Sequence, residues 1–446
     1  MSQKPKNSPP VKGEYAEGGR GLVPKLRFPE FQDAGEWEEK RLGEISDIKT
    51  GPFGSVLHES DYVEVGTPII TVEHLGELGI VGKNMPKVSK LDKTRLSSYI
   101  LNEGDIVFSR VGSVDRCAII GSDENGWLFS GRLLRLRIRN NKMSPFFLNH
   151  LLKYEPSKAK IRNSAVGQTM PSLNTEILKQ ISLHLPLFSE QQKIASCLSS
   201  IDELITAEAQ KLDTLKTHKK GLMQQLFPAE GETVPKLRFP EFQDAGEWEE
   251  KRLGEISDIK TGPFGSVLHE SDYVEVGTPI ITVEHLGELG IVGKNMPKVS
   301  KLDKTRLSSY ILNEGDIVFS RVGSVDRCAI IGSDENGWLF SGRLLRLRIR
   351  NNKMSPFFLN HLLKYEPSKA KIRNSAVGQT MPSLNTEILK QISLHLPLFS
   401  EQQKIASCLS SIDELITAEA QKLDTLKTHK KGLMQQLFPA PDEGRE

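Results

Sequence analysis

Five consecutive residues, Arg135-Leu136-Arg137-Ile138-Arg139, alternate cation and apolar side chain with the period of a β-strand. Successive side chains on a strand point to opposite faces. The three arginines therefore share one face while Leu136 and Ile138 pack inward. A guanidinium fork bonds two acceptors at once, which suits phosphate oxygens or the edge of a guanine. The pattern also fits the solvated outer face of an edge strand, where charge discourages aggregation. The surroundings favour an anionic partner. Residues 132–162 hold nine Lys or Arg, Lys160 and Arg162 among them, against one acid, Glu155.

Two loops add to this set. Phe108-Ser109-Arg110-Val111-Gly112-Ser113-Val114-Asp115-Arg116 ends a strand in small residues and two arginines. Arg110, Ser113 and Arg116 there can approach a nucleic acid closely, although an ordinary hairpin has the same sequence. Gly167-Gln168-Thr169-Met170-Pro171 reads as an exposed turn, with Thr169 beside Gln168. Gln168 can bond an adenine edge or satisfy backbone groups. Each candidate recurs 211 positions later, as Arg321, Ser324, Arg327, Arg346, Arg348, Arg350, Lys371, Arg373, Gln379 and Thr380.

Catalytic chemistry finds no comparable pattern. Asn7-Ser8-Pro9-Pro10 resembles the Asn/Asp-Pro-Pro-aromatic motif of amino-group DNA methyltransferases, but Val11 replaces the aromatic and no glycine-rich cofactor loop follows a strand. Gly82-Lys83 ends like a phosphate-binding loop, yet Asn84 stands where Ser or Thr should hold magnesium. Glu38-Glu39-Lys40 imitates half of a restriction-nuclease site, with Glu30 upstream too close and of the wrong type. His58, His74, His150, His184 and His218 lack metal-ligand spacing. The expectation is a chain with no catalytic residue and no metal site.

The elements that position the candidates are written twice. Residues 23–229 reappear without substitution as 234–440, an offset of 211 over 207 positions, so the copying is recent or engineered. Such repetition must be read before anything else. The expected boundaries are a disordered tail over 1–22, a mixed domain over 23–185, a long helix over 186–228 and a linker over 229–236. The second mixed domain then spans 237–396, the second helix 397–439 and a tail 440–446. Each mixed domain is α/β (α+β) material of normal domain size. Residues 24–31 are too proline-rich for regular structure, 37–48 alternate in a helical manner, and 145–154 read as a short helix. Strand-like runs lie at 67–72, 105–108, 118–120 and 133–138.

From Ser189 the pattern becomes heptad-like, with Ser189 and Gln192 as a capping box. Ile194, Ile201, Glu208, Leu215 and Leu222 mark one position; Leu198, Ile205, Leu212, Lys219 and Leu226 mark its partner. This reads as a coiled-coil seam, roughly 55 Å long at 1.5 Å per residue. A helix of this kind cannot bury its stripe alone, and the second copy offers an identical one. Closed twofold pairing of identical units favours an antiparallel pair.

Composition sets limits. A net charge of +2, with 37% hydrophobic and 26% charged residues, places any nucleic-acid surface in local charge separation. Cys117 and Cys197, each copied, form no Cys-x-x-Cys pair and suit a reducing cytoplasm. No apolar run approaches a membrane span.

With these residues in view, each repeat resembles the specificity subunit of type I restriction–modification systems. The resemblance is carried at its entry by Gly35-Glu36-Trp37-Glu38-Glu39-Lys40-Arg41-Leu42-Gly43-Glu44-Ile45 with Lys49-Thr50-Gly51. At its exit it is carried by Leu185-Pro186-Leu187-Phe188-Ser189-Glu190-Gln191-Gln192-Lys193-Ile194-Ala195 with Leu198, Ile201 and Asp202. It implies two target-recognition domains joined by an antiparallel coiled coil. It implies a non-catalytic reader of double-stranded DNA in a bacterial or archaeal cytoplasm. Two modification subunits would bring S-adenosylmethionine; restriction subunits, with ATP and magnesium, can join. Family members carry two different recognition domains, whereas these are identical, so an interrupted palindrome is the expected target, its half-site centres ~34 Å apart. The rival readings are a protein-binding coiled-coil scaffold and a self-contained DNA-modifying enzyme.

Overall fold

The structure, a computed structural model, describes residues 23–439 except Lys83, Gln168 and Gln379. The two expected tails, the Asn7–Pro10 motif, Lys83 and both candidate glutamines lie outside the described residues. The described residues form two compact units: 23–207 with 423–439, and 208–422.

The first copy opens with β1 (Glu38–Arg41), α1 (Leu42–Ile45), β2 (Ser46–Thr50), β3 (Tyr62–Val63), β4 (Thr67–Ile70) and β5 (Lys87–Val88). It continues through α2 (Lys90–Arg95), β6 (Ile106–Ser109), β7 (Cys117–Ile119), β8 (Leu128–Phe129) and β9 (Leu133–Ile138). It ends with α3 (Pro145–Lys153), α4 (Glu155–Ser164), α5 (Thr175–Gln180), β10 (Ser182–Leu185) and α6 (Phe188–Leu226). The second copy repeats these elements, marked here with a prime, up to α6′ (Phe399–Leu437).

The main sheet has the order β2-β9-β6-β7 and is antiparallel throughout. A smaller sheet runs β3-β5-β4-β8. Period-two alternation splits the main sheet between two cores. Ile106, Phe108, Leu134 and Leu136 join α3, α5 and the start of α6. Val107 and Leu133 face the other way, joining Ile70 and Phe129 of the smaller sheet. Both faces are therefore covered.

The helical reading of 37–48 is corrected: these residues form β1, a single turn α1, and β2. Trp37, Leu42, Ile45 and Ile48 are buried at helix-like spacing, but β1 pairs with β10, Glu38 opposite Leu185 and Arg41 opposite Ser182. Long-range pairing overrides local periodicity.

The long helix is 39 residues, about 58 Å at 1.5 Å per residue. It begins at Phe188, so Ser189 lies inside it and is not its cap. Gln191 anchors the start instead, donating to the Pro186 carbonyl (2.9 Å) and accepting from the Ser144 N–H (3.0 Å). The proline-rich stretch before β1 also contributes: Arg27 grips Glu190 with two bonds, 2.8 and 2.6 Å, both side chains nearly buried.

Within the second unit, Glu208 pairs with Lys422, Lys211 with Glu419, and Lys219 with Asp413 at 2.5 Å. One number rises as the other falls, so the helix segments run in opposite directions. The two polar members of the expected seam, Glu208 and Lys219, are thus interhelical ion pairs. In the first unit Asp202 accepts from Lys430 at 2.6 Å.

Each unit is completed by the other copy's helix. Phe438 is fully buried in the first unit against Tyr154 (5.2 Å between ring centroids), Phe147 (5.8 Å) and Trp37 (6.3 Å). In the second unit Phe227 meets Tyr365 (5.3 Å), Phe358 (5.7 Å) and Trp248 (6.4 Å).

Candidate nucleic-acid interface

The arginine strand is positioned as its alternation requires, with Arg135 and Arg137 opposite Leu134 and Leu136, but its cationic face is largely covered at Arg135 and only partly solvated at Arg137. β9 lies between β2 and β6, and the smaller sheet covers its far side. Arg135 is buried (5% exposed) and bonds Asp47 at 2.8 Å. Arg137 clamps the buried Asp105 carboxylate with bonds of 2.7 and 2.6 Å. This pairing holds its guanidinium pKa above the ordinary arginine value. Arg346 with Asp258 (2.9 Å) and Arg348 with Asp316 (2.7 and 2.6 Å) repeat the arrangement. Arg139 is exposed past the strand end, and Arg350 donates to the Gly254 carbonyl at 3.0 Å.

These pairings tie Arg135, Arg137 and their twins to acids of their own domain, whereas the sequence alone reads them as direct nucleic-acid contacts. The acids that neutralise them, Asp47 and Asp105, lie far away in sequence, so a local charge count misses them. Arg135→Ala with Arg346→Ala should cost about 2 kcal/mol per copy, the worth of a hydrogen bond to a charged group. DNA affinity of the folded protein should hold. A lowered urea midpoint with unchanged affinity is expected; weakened binding at an unchanged midpoint would restore the direct-readout role.

The helical cations are also engaged. Lys160 donates to the Ser182 carbonyl (2.8 Å) and Lys371 to Ser393 (2.9 Å). Arg162 bridges Asp115 and Glu155, both at 2.6 Å, and Arg373 bridges Asp326 (2.6 Å) and Glu366 (2.5 Å). Arg116 and Arg327 donate to the carbonyls of Leu75 and Leu286.

The two candidate loops are brought together. The Gly112 N–H donates to Pro171 (2.9 Å) and the Leu173 N–H to Arg110 (2.8 Å), while Val111 and Ser172 form an isolated bridge. Arg110 ties this junction to a third segment. Its Nη1 donates to Gly131 (3.3 Å) and its Nε to Leu173 (3.3 Å), and its guanidinium lies 5.6 Å from the Phe53 ring centroid. Arg321 and Phe264 repeat this last approach at 5.6 Å. Gly131 permits it, because a Cβ there would lie 2.6 Å from that of Phe53. Gly167 holds φ at 101°, which turns the last loop.

The cluster presents hydroxyls and apolar side chains outward. Ser113 and Thr169, with Ser324 and Thr380, are exposed. Phe53, Val166 and Met170 are 62, 55 and 65% exposed, and their twins Phe264, Val377 and Met381 match. A rigidly held mixture of donors and apolar groups can contact base edges and thymine methyls in a major groove. Charge patterning overlooked Phe53, Val166 and Met170. The available signal was Pro52-Phe53-Gly54, an aromatic flanked by residues that keep it out of regular structure.

Among the described residues no three His, Cys, Asp or Glu side chains converge as a metal site, and no helix is long and apolar enough to cross a membrane. The Cys117 thiol is buried and pushed up to about 11, which leaves it protonated.

A family model described as the type I restriction modification DNA specificity domain matches the chain twice, over 34–217 and 245–428. The specificity subunit of the type I restriction enzyme MjaVIII of Methanocaldococcus jannaschii is 27% identical over 423 residues, covering 93% of each chain. The StySPI specificity subunit of Salmonella potsdam is 24% identical over 270 residues, 59% of this chain and 57% of that one. The solved S subunit of the type I restriction–modification system of M. genitalium superposes with a TM-score of 0.63 at 17% identity, covering 94% of this chain and all of that one.

Proposed function

Because the chain belongs to the type I restriction–modification DNA specificity family, as a subunit with two such domains, we propose that it is the non-catalytic reader of a methylating complex and that its target is an interrupted palindrome. The observation that carries the reading is exact repetition with reciprocal exchange. Identical readers have identical preferences, and each unit is closed by the equivalent helix end of the other copy. That is the connectivity of a closed twofold pair. A twofold pair reads one element once on each DNA strand. Supporting the base-reading role is the loop cluster of Phe53, Arg110, Ser113, Thr169 and Met170, which turns exposed hydroxyls and apolar groups outward.

Chemistry on DNA is assigned to partners. Two modification subunits carry S-adenosylmethionine, and restriction subunits, where they join, carry ATP and magnesium. The chain supplies the address. Methylome sequencing of cells expressing it with its modification subunit should return one split motif that equals its own reverse complement. An asymmetric motif would refute the twofold reading, and methyl transfer by the chain alone would refute the non-catalytic one.

A further inference from the structure

Each unit contains a cationic groove that the readout of bases does not use. In the first unit it has a volume of about 950 Å³ and lies between the end of the β6–β7 hairpin, the α3–α4 junction and α6′. Six Lys or Arg line it against three acids, and the twins of all nine line a groove of about 850 Å³ in the second unit. The acids are largely spoken for: Asp115 and Glu155 are both held by Arg162. Lys153 donates to a neutral acceptor, the Glu77 carbonyl, at 2.9 Å. Among the described residues, the side chains of Lys158, Lys427 and Lys431 make no hydrogen bond or ion pair, and of their twins only the Lys216 side chain does, with Glu288 at 3.5 Å. The protonated Cys117 adds no negative charge to the lining.

We propose that this groove binds backbone phosphates of the same duplex whose bases the loop cluster reads. Its position supports the assignment. The loop of the β6–β7 hairpin joins the reading loops through 110–113, and its return, 115–117, lies in the groove wall. The helix that carries Lys158 runs directly into the loop over 165–172. Lysine suits phosphate as a mobile point charge without demanding base identity. The groove exists only where a reader meets the other copy's helix end, so backbone grip and unit completion coincide. The inference rests on the DNA-reading function proposed above.

The test is equilibrium binding of the chain with its modification subunit to a duplex carrying the methylated motif, across a salt titration. Substituting Lys158, Lys427 and Lys431 with their twins Lys369, Lys216 and Lys220 by Gln should weaken cognate and non-cognate duplexes alike. The slope of log affinity against log salt should become shallower by ~0.9 for each phosphate that a lysine no longer neutralises. A control set, Lys25, Lys90 and Lys193 with Lys236, Lys301 and Lys404, removes the same charge elsewhere on the exposed surface and should leave the slope in place. Neutral methylphosphonate linkages beside the motif should weaken the unaltered protein in the same way. A groove variant with the parental slope, or one matched by the control set, overturns the proposal. So does loss of the modification subunit with DNA binding by the chain unchanged, which would make the groove a protein-binding surface. Failure of the unaltered complex to bind any duplex would instead overturn the DNA-reading function itself.

Discussion

Phe438→Ala will loosen the first unit and leave the second intact, although the residue belongs to the second copy of the sequence. Phe438 is fully buried among Trp37, Phe147 and Tyr154. Removing a core phenylalanine costs about 3–5 kcal/mol, because the surrounding rings close the cavity only in part. Phe227→Ala should do the converse, loosening the second unit through Trp248, Phe358 and Tyr365. Limited proteolysis of the chain labelled at one terminus separates the two, since identical peptides then differ in distance from the label. Cuts in the same unit for both variants would show that the helix ends do not complete opposite units.

Mild acid will destabilise both units through a pair of buried histidines. His150 is held on α3 with its Nε2 3.2 Å from the Ser199 hydroxyl and its Nδ1 3.8 Å from Asp202. Burial is the main cause that lowers its pKa, to about 3, and the charges of Lys430 and Lys153 lower it further. His361 is likewise lowered to about 3, by burial first and then by Lys219 and Lys364. The sign follows from proton uptake. Between about pH 6.5 and 3 the unfolded chain holds the proton and the native chain does not. Stability is therefore full above the unfolded value and falls as pH drops through that window. At pH 5 the loss is about 2 kcal/mol for each histidine. His150→Gln with His361→Gln should flatten the profile between pH 7.5 and 5 in urea unfolding. An unaltered slope in the double variant would place the acid sensitivity elsewhere.

What the sequence made legible follows the range of the interactions concerned. The duplication and the long helix were readable because a repeat and a heptad are patterns carried by neighbours. Even the polar interruptions of the seam, Glu208 and Lys219, had a meaning that the partner helix supplies. The parity of Arg135 and Arg137 on their strand was readable too. What covers that face was not, because the smaller sheet is built from the two-residue strands β3, β5 and β8 with β4, too short for any periodicity. The same limit explains 37–48, where apolar spacing matches a helix and β10 decides otherwise. The loop cluster was half legible. Its hydroxyls and Arg110 stood out, while Phe53 carried only the local signal of its Pro52 and Gly54 neighbours, and its place beside Gly131 is a long-range contact. Phe227 read as the last turn of a helix, and nothing near it in sequence announces the aromatic ring set that receives it.

Exchange of helix ends also sets a timetable. Phe227 leaves the ribosome before the reader that needs it, so the second unit can close as soon as its own residues have emerged. The first unit, made earlier, waits for Phe438. During that interval Trp37, Phe147 and Tyr154 stand without their last neighbour, an apolar hollow of the kind that invites misassociation during synthesis. The speed of translation, more than the strength of either core, governs how long that hollow stays open.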